Sequence, residues 1–154
     1  MVRPAAGLWR SFSAWPSCSI PTWCPNCAGH APHGAVLAWL ESTDDVDLHL
    51  TSVTIGEIQA GIELIREQDP GKASEIELWL DQVCDTFNIL SMEDLAFRCW
   101  ARLMHRQSDT LYEDAMIAAI AKVHHLTVVT RNVADFNRFE VPLLNPFTPD
   151  ASHP

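Results

Sequence analysis

Residues 112–136 read "YEDAMIAAIAKVHHLTVVTRNVADF", and the fold turns on this stretch. Two acids open an Ala-rich apolar run of helical length that ends in two His, and "LTVVT" (126–130) follows as a β-branched strand. "RNVADF" (131–136) is a turn or a single helical turn, and "VPLLNP" (141–146) holds a short closing strand. A helix feeding a short apolar strand is the unit of an α/β domain with a mainly parallel sheet. The same alternation continues upstream, where "DLHL" (47–50) and "NIL" (88–90) are strand candidates between helices.

Three upstream segments carry helical periodicity. "TSVTIGEIQAGIELIREQ" (51–68) opens with a Thr/Ser cap, lines up Val53, Ile58, Ile62 and Ile65, and is predicted to end at "DPG" (69–71). "KASEIELWLDQVCDTF" (72–87) turns Ile76, Leu80 and Val83 inward. "SMEDLAFRCWARLMHRQ" (91–107) spaces Leu95, Cys99, Leu103 and Arg106 along a third helix. A shorter helix is expected at "AVLAWLE" (35–41), with Val36, Leu37 and Leu40 on one side.

Composition sets limits on function. At 154 residues with 47% hydrophobic and 19% charged residues, the chain is expected to be one soluble globular domain. No apolar run reaches the ~18 residues of a membrane span. The first twenty residues make a poor secretory signal, because Ser, Trp and Pro interrupt the apolar run. Five Cys argue against a complete disulfide framework and for a reducing compartment, the cytoplasm. The net charge of −10 is unevenly laid out: residues 1–34 contain two Arg and no acid, and all twenty acids lie beyond residue 40. The body therefore repels nucleic acid at long range unless a metal ion or a basic partner offsets it.

Four residues of the body are candidates for chemistry. Glu57 lies early in a helix among small and apolar residues, where the helix dipole alone would account for a carboxylate. Asp114 follows Glu113 at the start of the Ala-rich helix; capping is the bland alternative, but burial of that helix carries it to the sheet edge where α/β folds place ligands. Asp135 lies beyond the strand "LTVVT", with Asn132 on the same loop. Three carboxylates at element ends suggest a pocket for Mg²⁺ or Mn²⁺, which take oxygen ligands and assist phosphodiester hydrolysis. His124 and His125 read as helix C-terminal residues, Asp94 as helix-stabilising, and Cys84 and Cys99 as small core residues. Neither a Gly-rich phosphate loop nor a Ser nucleophile elbow is present.

Taken in order and spacing, "AVLAWLE", "SVTIGEIQAGIELI", "EDAMIAAIAKVHHLTVVTRNVADF" and "VPLLNPF" resemble the PIN-domain ribonucleases of VapC-type toxins. The resemblance covers residues 35–147 and leaves 148–154 as a C-terminal tail. It implies a parallel sheet flanked by helices and a cluster of acids binding Mg²⁺ or Mn²⁺ to cleave RNA. It also implies a VapB-type antitoxin as partner, and a homodimer is common among such toxins. The matching positions are Glu57, Asp114 and Asp135 as metal ligands, with Asn132 as a polar helper.

The family pattern also begins with a strand ending in "DTN", followed by a helix start resembling "VVSELRRxRP". Here residues 1–34 supply neither the Asp nor the strand, so the first strand is expected to be absent or disrupted and this segment aberrant. Cys24, Cys27, His30 and His33 in "IPTWCPNCAGHAPHG" (20–34) resemble zinc ligands, but two residues between the pairs leave little room to wrap an ion. Codon arithmetic offers another reading. In a shifted frame Trp23 followed by Cys24 forces Val, Asn26 followed by Cys27 forces Leu, and allowed codons for residues 20–32 spell D-T-N-V-V-S-E-L-R-R-A-R-P. The sequence therefore predicts a frameshifted VapC-like ribonuclease with impaired cleavage. A non-catalytic, antitoxin-binding PIN domain and a zinc-binding front end are the alternatives. The nucleotide sequence of the locus decides: codons unable to spell the shifted motif remove the frameshift.

Overall fold

The structure is a computed structural model that describes residues 48–130 and 132–146. The segment expected to be aberrant, the four zinc-like residues, the helix at 35–41 and the C-terminal tail lie outside the described residues. In chain order the elements are β1 (His49–Thr51), α1 (Ser52–Arg66), α2 (Pro70–Thr86), β2 (Asn88–Leu90) and α3 (Asp94–Leu103). A 3₁₀ turn (Asp109–Leu111) leads into α4 (Tyr112–His124), followed by β3 (Val128–Val129) and α5 (Val133–Phe136). A second 3₁₀ turn (Asn137–Phe139) leads to β4 (Leu143–Leu144). Both strand pairs are parallel: β1 with β2, matching Leu50 to Ile89, and β3 with β4, matching Val128 to Leu143. The α/β architecture with parallel pairing is as the helix–strand alternation predicts.

Local chemistry fixes most boundaries. Thr51 ends β1 and caps α1, its Oγ1 accepting the Thr54 N–H at 3.1 Å. The Thr51 and Thr54 hydroxyls also lie 3.0 Å apart, and Thr54 is buried. This cap sets where α1 starts, and hence where Glu57 falls in its second turn. Thr51→Ala is expected to cost about 1 kcal/mol, read as a lower urea midpoint with an unchanged slope. Arg66 pairs with Glu63 at 3.0 Å and Glu77 at 2.9 Å, tying α1 to α2.

The structure alters the reading of "DPG". Helix α1 has already ended at Arg66, and Asp69 caps the next helix by accepting the Lys72 N–H at 2.9 Å. Pro70 then occupies the first helical position, where its missing N–H goes unneeded and its fixed φ suits the helix. The motif opens α2 more than it closes α1. Helix α3 is shorter than the sequence suggested, and its inward seam is different. Ala96 is buried, Trp100, Leu103 and Met104 pack against the core, and Leu95 is 58% exposed. Cys84 and Cys99 are half-buried free thiols.

Two apolar clusters hold the described fold. One joins α1 and α2 through Ile62, Ala73, Ile76, Trp79, Leu80 and Val83. The other gathers Leu111, Ala115, Ile117, Ala118, Ala121, Val128, Phe136, Phe139 and Val141 around α4. The Ala-rich face of α4 lets α3 approach closely, and Ala115, Ala118 and Ala119 have no exposed surface. Helix α4 ends where His125 turns left-handed at φ 56°, and the Leu126 N–H bonds back to the Ala121 carbonyl at 2.9 Å. His124 and His125 therefore occupy the helix end, as expected. Among the described residues no helix is long and apolar enough to cross a membrane.

Candidate metal centre

Three elements carry the predicted acids Glu57, Asp114 and Asp135, and a fourth acid, Glu113, accompanies them. Glu57 rises from the second turn of α1, Glu113 and Asp114 form the first turn of α4, and Asp135 lies within α5. The α4 start has no side-chain cap, so its exposed N–H groups and dipole favour the two carboxylates. Val53 packs against the cluster around α4, which brings the start of α1 to α4.

Glu57 is the most perturbed of these acids. Its Oε2 is buried without a hydrogen-bond partner among the described residues. Burial first, then the negative charges of Glu113 and Asp114, push its carboxyl from 4.5 up to about 7. Asp114 is also raised, again by burial first, then by Asp135 and Glu113, with Arg138 partly offsetting them. An unpaired buried carboxylate among like charges is an unfavourable arrangement that a bound cation relieves.

Asp135 is differently placed. Its Oδ2 accepts a hydrogen bond from Asn132 Nδ2 at 2.6 Å, and its Oδ1 lies 3.9 Å from Arg138 Nη2. The Asn132 N–H is held by Thr130 Oγ1 at 3.0 Å, and Thr130 is buried just beyond β3. Asn132 therefore orients the Asp135 carboxylate. Glu57 couples to Asp114 and Asp114 to Asp135, so the three form a chain of neighbours. Among the described residues no three His, Cys, Asp or Glu side chains converge closely enough to hold a metal ion. The donor chemistry, carboxylate oxygens with one buried atom unsatisfied, fits a hard divalent cation.

Sequence reasoning left two participants unassigned. Glu113 repels both Glu57 and Asp114, and Arg138 is the cation beside Asp135. The acid doublet opening α4 was the signal for the first, and the i, i+3 spacing of Asp135 and Arg138 for the second.

The PIN domain family model matches residues 26–141, most of the chain. The chain belongs to the PIN-domain family. This PIN domain is 28% identical to Toxin FitB of Neisseria gonorrhoeae over 124 residues, covering 75% of this chain and 87% of the relative. It is likewise 28% identical to the plasmid stability protein StbB of Pseudomonas syringae pv. tomato over 123 residues, with the same coverage. A solved structure of FitAB bound to an IR36 DNA fragment superposes with a TM-score of 0.69 at 26% identity. That match covers 79% of this chain and 89% of the solved one. The fold and family implied by the motifs are thus found.

Proposed function

We propose that this PIN domain is a metal-dependent endoribonuclease of the toxin type, cytoplasmic and controlled by an antitoxin. We further propose that cleavage is impaired because the "DTN" carboxylate is missing. The observation that carries the reading is the buried, unpartnered Oε2 of Glu57, facing Glu113 and Asp114. Glu57, Asp114 and Asp135 would hold Mg²⁺ or Mn²⁺, directly or through water, with Asn132 fixing the Asp135 carboxylate. A bound ion of this kind supplies charge neutralisation at a phosphodiester and activation of water. Residues 35–147 form the catalytic unit in this reading.

The similarity to FitB, a toxin that is solved as the FitAB complex, supports an antitoxin partner for this chain as well. A purely antitoxin-binding role is favoured by one specific observation, the absence of any acid before Glu41.

Divalent-ion binding is the direct test. At pH 8, millimolar Mn²⁺ is expected to raise the melting temperature by a few degrees, because an ion that binds only the folded state stabilises it. Asp114→Asn should lose that response while keeping its far-UV circular dichroism. A wild-type melting temperature indifferent to Mn²⁺ and Mg²⁺ would remove the metal centre from the proposal.

A further inference from the structure

The run from Leu95 to Ser108 holds Arg98, Arg102, His105 and Arg106 and no acid, in a chain of net charge −10. Arg66, Lys72 and Arg138 each sit beside a carboxylate, whereas no ion pair of the described residues involves Arg98 or Arg102. Both are exposed. Arg102 lies in the last turn of α3 and Arg106 in the turn beyond it, at φ 63°, where the helix dipole favours cations. The dipole gives no reason for Arg98 in mid-helix.

Helix geometry gathers these residues into one face. Phe97, Arg98, Ala101 and Arg102 are all exposed, and their spacing sets an apolar row (Phe97, Ala101) beside a basic row (Arg98, Arg102). The opposite side of α3 is buried through Ala96 and packs through Trp100, Leu103 and Met104. Phe97, 47% exposed, meets Trp100 edge-on with ring centroids 6.3 Å apart. Trp100 in turn lies 5.5 Å from Tyr112, which is 40% exposed and immediately precedes Glu113 and Asp114. A chain of three rings, Phe97–Trp100–Tyr112, thus leads from the edge of this face to the residue before the acid doublet that opens α4.

We infer that the exposed face of α3, built by Phe97, Arg98, Ala101 and Arg102, binds single-stranded RNA and leads it past Tyr112 towards the carboxylates. The inference rests on the ribonuclease reading above. Unpaired guanidinium groups suit phosphates, and exposed rings offer stacking faces to unpaired bases; the two together are the pattern of single-strand surfaces. In an acidic domain this face also supplies the positive charge that a polyanion needs at close range. An acidic protein segment could use the arginines, but the aromatic path to the carboxylates favours RNA.

The test is fluorescence anisotropy of labelled single-stranded RNA with the full chain in EDTA, over a salt series. Arg98→Ala with Arg102→Ala should weaken binding at least tenfold and flatten the log–log salt slope by about 1.4, at ~0.7 for each phosphate that is no longer neutralised. Arg98→Lys with Arg102→Lys should keep the slope, and Lys72→Ala should change neither quantity. Phe97→Ala should weaken binding about tenfold with the slope intact. RNA binding that is equal in wild type and the double Ala variant overturns the face and leaves the ribonuclease reading standing. Failure of the wild type to bind RNA in EDTA overturns the face, and failure to bind it with Mg²⁺ present as well overturns both. Polyglutamate bound as tightly as RNA, with the same arginine dependence, overturns the RNA assignment in favour of an acidic protein partner.

Discussion

Replacing residues 20–32 by the shifted-frame string DTNVVSELRRARP, with an apolar strand in place of the residues just before it, is expected to raise Mg²⁺-dependent RNA cleavage by about 10²–10³-fold. That is the scale on which one well-placed electrostatic group acts in an active site. The structure supplies the reason the gain should be so large. Among the described residues no three ligating side chains converge closely enough to hold an ion. An ion held by Glu57, Asp114 and Asp135 would therefore lack a full set of convergent strong donors from the described residues. One further Asp from a strand end would complete it.

The measurement is single-turnover cleavage of a labelled RNA by the restored and original chains, each with an Asp114→Asn control. Equal rates in the two chains, both abolished by Asp114→Asn, would show that the site is complete without the restored Asp. Absence of cleavage in the restored chain, with an antitoxin still bound, would establish the non-catalytic reading. The two outcomes separate the frame question from the metal question.

How legible the molecule was in its sequence varies by element. The α4–β3–α5 stretch could be read because its signals agree: an acidic helix start, an Ala-rich buried face, a β-branched strand and a polar turn. Strand ends were less legible. "LTVVT" pairs only at Val128 and Val129, because the lengths of strands depend on partners elsewhere in the chain. "DPG" looked like a stop because Pro and Gly break helices, yet Asp69 and Pro70 are also an N-cap and first helical residue. For α3, a spacing that began at Leu95 missed the inward seam at Ala96 and Trp100. A small buried Ala and a large half-buried Trp give a weaker pattern than aliphatic side chains.

For the candidate site, sequence alone could place Glu57, Asp114 and Asp135 at element ends. The unsatisfied Oε2 of Glu57 could not be read there, since it depends on α1 meeting the start of α4. Nor could the Asn132–Asp135 hydrogen bond, which requires the loop after β3 to fold back through Thr130.

Glu57→Gln is expected to reverse its effect with metal. Without divalent ions the Glu57 carboxyl is raised from 4.5 to about 7 in the folded state, so the fold favours its neutral form. Its contribution to stability is therefore fully present below pH 4.5 and is lost as pH rises towards 7. Asp114, raised from 3.8, contributes with the same sign. Each pKa unit corresponds to about 1.4 kcal/mol. Solvent at a half-buried group screens much of this, leaving a gain for Glu57→Gln at pH 8 on the order of 1–2 kcal/mol. In EDTA the variant should accordingly melt roughly 2–5 °C above wild type at pH 8, and level with it below pH 4.5. Mn²⁺ inverts the order, because the ionised wild-type carboxylate gains a partner while the amide supplies a weaker donor without charge. Binding then releases a proton, and wild-type affinity should fall as pH drops below 7. In the restored chain, Glu57→Gln should reduce cleavage by at least about 100-fold. Parallel melting profiles for wild type and variant across pH 4–8 in EDTA would mean that the Glu57 carboxyl ionises as freely as in water. The unpartnered Oε2 would then give no reason of its own to place an ion beside it.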